Sequence, residues 1–194
     1  MTLAALAISE QDADALLIKF RAVTGLRGEL KGSRIDLEER AVLLNLLSQF
    51  HFRAGVSIAI SAIQPDPGED RGDHDIEVYA ALLNDAIGRL LPDSGGCAHV
   101  VIDDGRYGPK TLALVRSEIA EMIGPFGSAG LAVSHSLAGL QLADVIANSF
   151  FNRALVTDRQ AAFAGLLKPF MDDGRMAMHV IAPLAGHAGS PGGT

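Results

Sequence analysis

Four carboxylates stand where this sequence could build a reactive centre. Asp144 is the only ionisable side chain in the run Leu137-Ala-Gly-Leu-Gln-Leu-Ala-Asp-Val-Ile-Ala-Asn-Ser-Phe-Phe151, which reads as a buried helix. A carboxylate inside such a helix is costly unless it is ion-paired, hydrogen-bonded or bound to a cation. Upstream, the apolar run His99-Val-Val-Ile102 ends in Asp103-Asp104-Gly105, and in open α/β sheets ligands gather at the carboxyl ends of strands. Gln141 and Asp144 lie one helical turn apart and share a face. If that face meets the strand end, two carboxylates converge, with Glu29 of Gly28-Glu-Leu-Lys-Gly32 as the candidate third. Hard oxygen donors arranged in this way suit Mg2+ or Mn2+ rather than zinc.

Each acid also has a structural reading. Asp104 before Gly105 fits an ordinary turn. Asp144 can pair with Arg153 or accept from an orphan backbone N–H, and Glu29 alone is a loop charge. Other reactive-looking patterns are weaker. The six histidines (His51, His74, His99, His135, His179 and His187) show no paired ligand spacing. Ser134-His135-Ser136 suggests a nucleophile and base, but neighbouring residues of a strand point apart. The acid-dense stretch Asp66–Asp75 misplaces the glycine and glutamate of a calcium loop and reads as solvated.

The elements that must position these residues alternate between strand and helix. Thr2 to Ile8 has strand length, and Ser9 is placed to cap a helix from Glu10 to about Val23. Asp36 starts a second helix through Leu37, Val42, Leu43, Leu46, Leu47 and Phe50. Val56–Ile60 reads as a strand, Gln64–Asp75 as a loop and Ile76–Leu91 as a helix. After these come a buried strand at 98–102, a helix at 111–123, a strand at 131–134 and the helix bearing Asp144. A helix over 159–171 and a strand over 176–181 close the domain. The alternation predicts one α/β domain over residues 1–185, with a disordered Gly-, Ser- and Pro-rich tail at 186–194.

Composition narrows the classes. A chain of 194 residues supports one substantial core. Hydrophobic residues at 48% against 20% charged exclude a disordered chain. No run reaches the roughly 18 to 20 uncharged residues of a membrane span, and the N-terminus lacks a positive leader, so a cytoplasmic protein is the expectation. Cys97 stands alone, which excludes an internal disulfide framework. A net charge of −7 argues against broad nucleic-acid binding by unassisted cations, although bound metal can supply the positive charge. Residues 19–40 hold six basic side chains (Lys19, Arg21, Arg27, Lys31, Arg34, Arg40) against four acids, the best candidate for a phosphate-facing patch.

Glu29-Leu-Lys31, Val101-Ile-Asp-Asp104, Ser134 and Gly139-Leu-Gln-Leu-Ala-Asp144, in that order, resemble the successive motifs of the domain-of-unknown-function 3800 family. Leu-Gln-Leu-Ala-Asp is the most specific of them. The resemblance runs from about Leu3 to Arg153. It implies a ribonuclease H-like mixed sheet flanked by helices, with Glu29, Asp103 and Asp144 as catalytic metal ligands and Asp104 beside them. Lys31, Ser134 and Gln141 would be polar, substrate-binding support. The chemistry implied is phosphodiester hydrolysis with two ions about 4 Å apart, one activating water and the other stabilising the leaving oxygen.

The resemblance departs from the family at one point. Family members open on a strand ending in Asp-Glu-Ser-Gly, whose Asp is the first metal ligand on the central strand. Here Thr2–Ser9 resembles the second strand, so the sheet is expected to lack its first. Glu10 and Asp12 are poor substitutes, because acids are favoured at a helix start in any case. Two expectations follow. The protein is a nuclease-like domain with an incomplete carboxylate site, or an inactive binding or regulatory protein of the same fold. Exposed sheet edges predict a homodimer or a strand-completing partner.

Overall fold

Residues of alternating orientation build β1 (Thr2–Ala7), which serves two apolar clusters at once. Ala4 and Leu6 pack on one side, and Leu3 and Ala5 on the other, as the two-residue period of a strand requires. The computed structural model describes residues 1–59, 71–94, 98–105, 107–125 and 127–181. The expected tail at 186–194, Cys97 and positions 64–70 of the expected polar loop lie outside the described residues.

β1 pairs antiparallel with β2 (Arg53–Ala59), setting Ala4 opposite Val56, and β5 (Met176–Ile181) runs parallel to β2 on its far side. β3 (His99–Asp103) and β4 (Ser128–Ala132) form a separate parallel pair with Val101 opposite Gly130. The α/β expectation holds, but the single mixed sheet is divided. One sheet has the order β1-β2-β5 and the other is β3-β4.

Among the described residues six α-helices accompany the strands. α1 (Glu10–Thr24) starts where Ser9 Oγ accepts the Asp12 N–H at 3.0 Å and stops at Gly25, which takes φ 74°. α2 (Leu37–Leu47) opens with a reciprocal capping box. Asp36 accepts the Glu39 N–H at 2.8 Å, and Glu39 accepts the Asp36 N–H at 3.0 Å, satisfying two end donors together. α3 (Arg71–Gly88), α4 (Pro109–Ile123), α5 (Ala138–Ala154) and α6 (Gln160–Asp172) complete the set.

Two local expectations change. Residues 71–75, read as loop, belong to the start of α3, where the acid Asp75 suits the positive end of the helix dipole. Ser134–Ser136, read as a strand end, is a 3₁₀ turn. There Ser136 turns both its N–H and its hydroxyl onto the Val133 carbonyl, at 3.0 and 2.7 Å, a local bond that competes with a strand ladder.

The larger apolar cluster joins Leu16, Phe20, Leu43, Leu47, Phe52, Val56, Ile146 and Phe150, from α1, α2, α5 and the first sheet. A second cluster joins Tyr79, Leu83 and Ile87 of α3 to Ile102 of β3 and to Val115 and Ile119 of α4. β1 is the strand shared between them. Gly55 lets α3 approach β2, since a Cβ there would lie 2.6 Å from the Ala86 carbonyl oxygen.

A polar tie fixes α3 to the same sheet. Asp85 accepts from the fully buried Ser57 hydroxyl at 2.5 Å, from Arg89 Nε and a terminal nitrogen at 3.1 and 2.9 Å, and lies 3.1 Å from His179 Nδ1. Burial pushes the Asp85 carboxyl upward, but the bonds from Arg89, Ser57 and His179 outweigh it and hold it at about 2. A depressed carboxylate contributes stability above its unfolded value, and that contribution fades as the pH falls from about 4 towards 2. Asp85→Ala should therefore lower neutral-pH stability by about 1–3 kcal/mol, partly by orphaning Ser57. In urea melts its deficit should shrink on acidification from pH 5 to pH 2.5; a deficit independent of pH would contradict the tie.

Candidate functional site

The sequence places a short loop, Gly28–Ile35, between two helices, and the fold lays that loop along α5. α5 buries Ala138, Gln141, Leu142, Val145, Ile146, Ser149 and Phe150. Asp144 lies at the rim of this face. Contrary to the sequence expectation it is not buried: its side chain is exposed, and the loop passes beside it.

Two hydrogen bonds dock the loop. The Leu30 N–H donates to Gln141 Oε1 at 2.8 Å, and the Gly32 N–H donates to Asp144 Oδ2 at 2.7 Å. The two acceptors, three residues apart, share one face of α5. Of the structural alternatives for Asp144, the backbone donor is the one realised. Arg153 instead reaches Met178 Sδ at 3.2 Å.

Gln141 is 1% exposed and is satisfied on both ends. Its Nε2 donates to the carbonyls of Ser134 and His135 at 3.2 and 3.3 Å. Ser134 in turn donates its hydroxyl to Glu29 Oε1 at 2.6 Å, and Lys31 Nζ lies 3.4 Å from Glu29 Oε2. The Ser134 hydrogen bond is the main cause that holds the Glu29 carboxyl below its ordinary range, against some desolvation and with help from Lys31 and His135. Glu29, Lys31, Ser134, Gln141 and Asp144 thus form one polar seam joining the loop, the 3₁₀ turn and α5.

The remaining two acids belong to the end of β3. Asp103 is exposed, with Oδ1 3.4 Å from the Gly105 N–H, a weak turn contact. Asp104 joins the β3–β4 pairing through its backbone N–H, which donates to the Ala132 carbonyl at 3.1 Å. Among the described residues no group of three or more His, Cys, Asp or Glu side chains comes together to hold an ion. Both Glu29 oxygens face partners, and one oxygen of Asp144 is committed to Gly32. No family model matches the chain, and no curated protein or solved structure is detectably similar to it.

Arg40 is the residue of this region that sequence reading misplaced, as one of a phosphate-facing basic patch. It is 2% exposed. One terminal nitrogen donates to the Val145 carbonyl (3.1 Å) and Ser149 Oγ (2.8 Å), the other to the Gly32 carbonyl (2.6 Å) and Asn148 Oδ1 (3.0 Å). Its guanidinium lies 5.0 Å from the Phe163 ring centroid. The signal was present: Arg40, Leu43, Leu44 and Leu47 share the helical spacing of a buried face.

Gly32 is therefore held from both sides, its N–H by Asp144 and its carbonyl by Arg40. A Cβ there would lie 2.6 Å from Asn148 Cβ and 3.0 Å from the Asp144 carbonyl oxygen. Gly32→Ala should lift the loop from α5 and cost about 1–3 kcal/mol, an overpacking penalty. Equilibrium denaturation checks this, with Gly28→Ala as the comparison: Gly28 has φ 100° but open space around it, so strain alone acts there. Equal stability of Gly32→Ala and wild type would show that the loop does not lie against α5.

Proposed function

We propose that this chain is a non-hydrolytic binding or regulatory module on a ribonuclease H-like layout, and that a strand from another chain completes its sheet. The observation that carries the reading is a pair of open strand edges over shared support. Met1 and Ala59 exchange both backbone bonds at 2.9 Å. By antiparallel alternation, Leu3 and Ala5 then face β2, and Thr2, Ala4 and Leu6 turn their backbone groups outward.

On β3, the Ala98 carbonyl accepts from Ser128, and the Asp104 N–H reaches Ala132. The backbone groups of His99, Val101 and Asp103 consequently turn away from β4. Among the described residues no strand pairs with either edge. Yet Leu3 and Ala5 of β1 join the same cluster as Val100 and Ile102 of β3, and α5 touches both strands.

Open edges of this kind are templates for strand addition. An added strand would need apolar residues on both faces, because helices lie on each side. A second copy of the chain serves as the simplest donor and gives a homodimer. The carboxylate seam supports the non-hydrolytic half of the reading, since its oxygens already serve the loop. Arg27 and Arg34 remain exposed beside it and provide a modest nucleic-acid-facing charge.

Light scattering at micromolar concentration should show a dimer. Val101→Pro should shift it to monomer, because that N–H lies on the open edge and not in the β3–β4 ladder. A wild type that is monomeric throughout and indistinguishable from Val101→Pro would contradict the proposal. Mg2+ or Mn2+ should leave the thermal midpoint unchanged. A metal-dependent rise lost in Asp144→Asn, together with cleavage of single- or double-stranded nucleic acid, would favour the nuclease instead.

A further inference from the structure

The loop that carries Gly32 also forms one wall of a cleft between α2, α5 and the start of α6. Gly32, Ser33, Arg40, Asn148, Asn152 and Arg159 supply its polar lining. Phe151 adds an aromatic side chain that is 44% exposed.

Arg40 makes this cleft unusual. A buried guanidinium normally meets a carboxylate, because desolvating an uncompensated charge is costly. The four hydrogen-bond acceptors of Arg40 are all neutral: two carbonyls, a hydroxyl and a carboxamide. Its Nε is buried and has no hydrogen-bond partner. Burial lowers the Arg40 pKa, the charge of Asp144 raises it, and Arg159 lowers it again.

Acidic groups do not offset this within the wall. Asp36 is the one acid in the lining, and its Oδ1 is already bonded to the Glu39 N–H. The N-terminus of α2, eleven residues long, opens at the same place and adds the positive end of its dipole.

We infer that this cleft binds the phosphate group of a nucleotide at Arg159, in the positive field of the buried Arg40, with the base against Phe151. Arg159 is the exposed donor to a phosphate, and Arg40, whose terminal nitrogens are bonded inside the protein, contributes its charge rather than a hydrogen bond. The exposed ring of Phe151 offers the stacking surface that a base uses on a protein. The cleft is separate from the Glu29–Ser134 seam, so the inference stands whether or not the chain hydrolyses or dimerises.

Isothermal titration of the full chain with adenosine monophosphate, inorganic phosphate and adenosine separates the contributions. The expected order is adenosine monophosphate tightest, inorganic phosphate weaker and adenosine weakest. Arg159 is exposed, so Arg159→Gln should fold normally and weaken adenosine monophosphate about tenfold, the loss of one charge-assisted contact. Phe151→Ala should weaken adenosine monophosphate but not inorganic phosphate. Lys31→Gln, on the other side of the loop, should change neither. Adenosine monophosphate that fails to bind, binds equally well to Arg159→Gln, or is lost in Lys31→Gln instead would overturn the assignment. Inorganic phosphate binding as tightly as adenosine monophosphate would overturn the nucleotide part of it.

Discussion

The region depends on how one glycine is gripped. Gly32 gives its N–H to Asp144 and its carbonyl to Arg40, and it lies too close to α5 for any side chain. Those contacts turn the segment between α1 and α2 from a free connection into a fixed wall. Everything polar nearby is arranged with respect to that wall. On one side Glu29, Ser134 and Gln141 tie it to the turn before α5. On the other, Arg40 closes the floor of a cationic cleft.

This grip redistributes the roles of the acids. Asp144 spends one carboxylate oxygen on the Gly32 N–H. Glu29 is held by the Ser134 hydroxyl and by Lys31. Asp103 stands at a strand end, oriented towards its own turn. Glu29 and Asp144 thus fasten the loop to the 3₁₀ turn and to α5. Arg40, which looked like surface charge, is the buried ion that the fold leaves without an acidic partner in hydrogen-bond contact.

Much of the framework was legible because its signals are local. Ser9 and Asp36 announce α1 and α2 through caps that need only a few residues. The alternation at Met176–Ile181 marks β5, with Met176 buried and Met178 half-buried. The polar seam was legible as a set of residues, and Glu29, Lys31, Ser134, Gln141 and Asp144 do come together. Their purpose was not legible, since the partner of Asp144 is a backbone N–H and any residue but proline carries one. Nor could spacing show that β1 and β3 would stay unjoined, because pairing across 90 residues depends on what else fills the layer. Ser134–Ser136 misled because a short polar run after a strand is equally compatible with one more strand residue or a tight turn.

The central claim is that Asp144 is a loop fastener, and amide hydrogen exchange at Gly32 tests it most directly. The account predicts a protected Gly32 amide in the wild type and in Asp144→Asn, whose side-chain oxygen can still accept, and a fast-exchanging one in Asp144→Ala. Protection that survives in Asp144→Ala, or an unprotected Gly32 amide in the wild type, would contradict it.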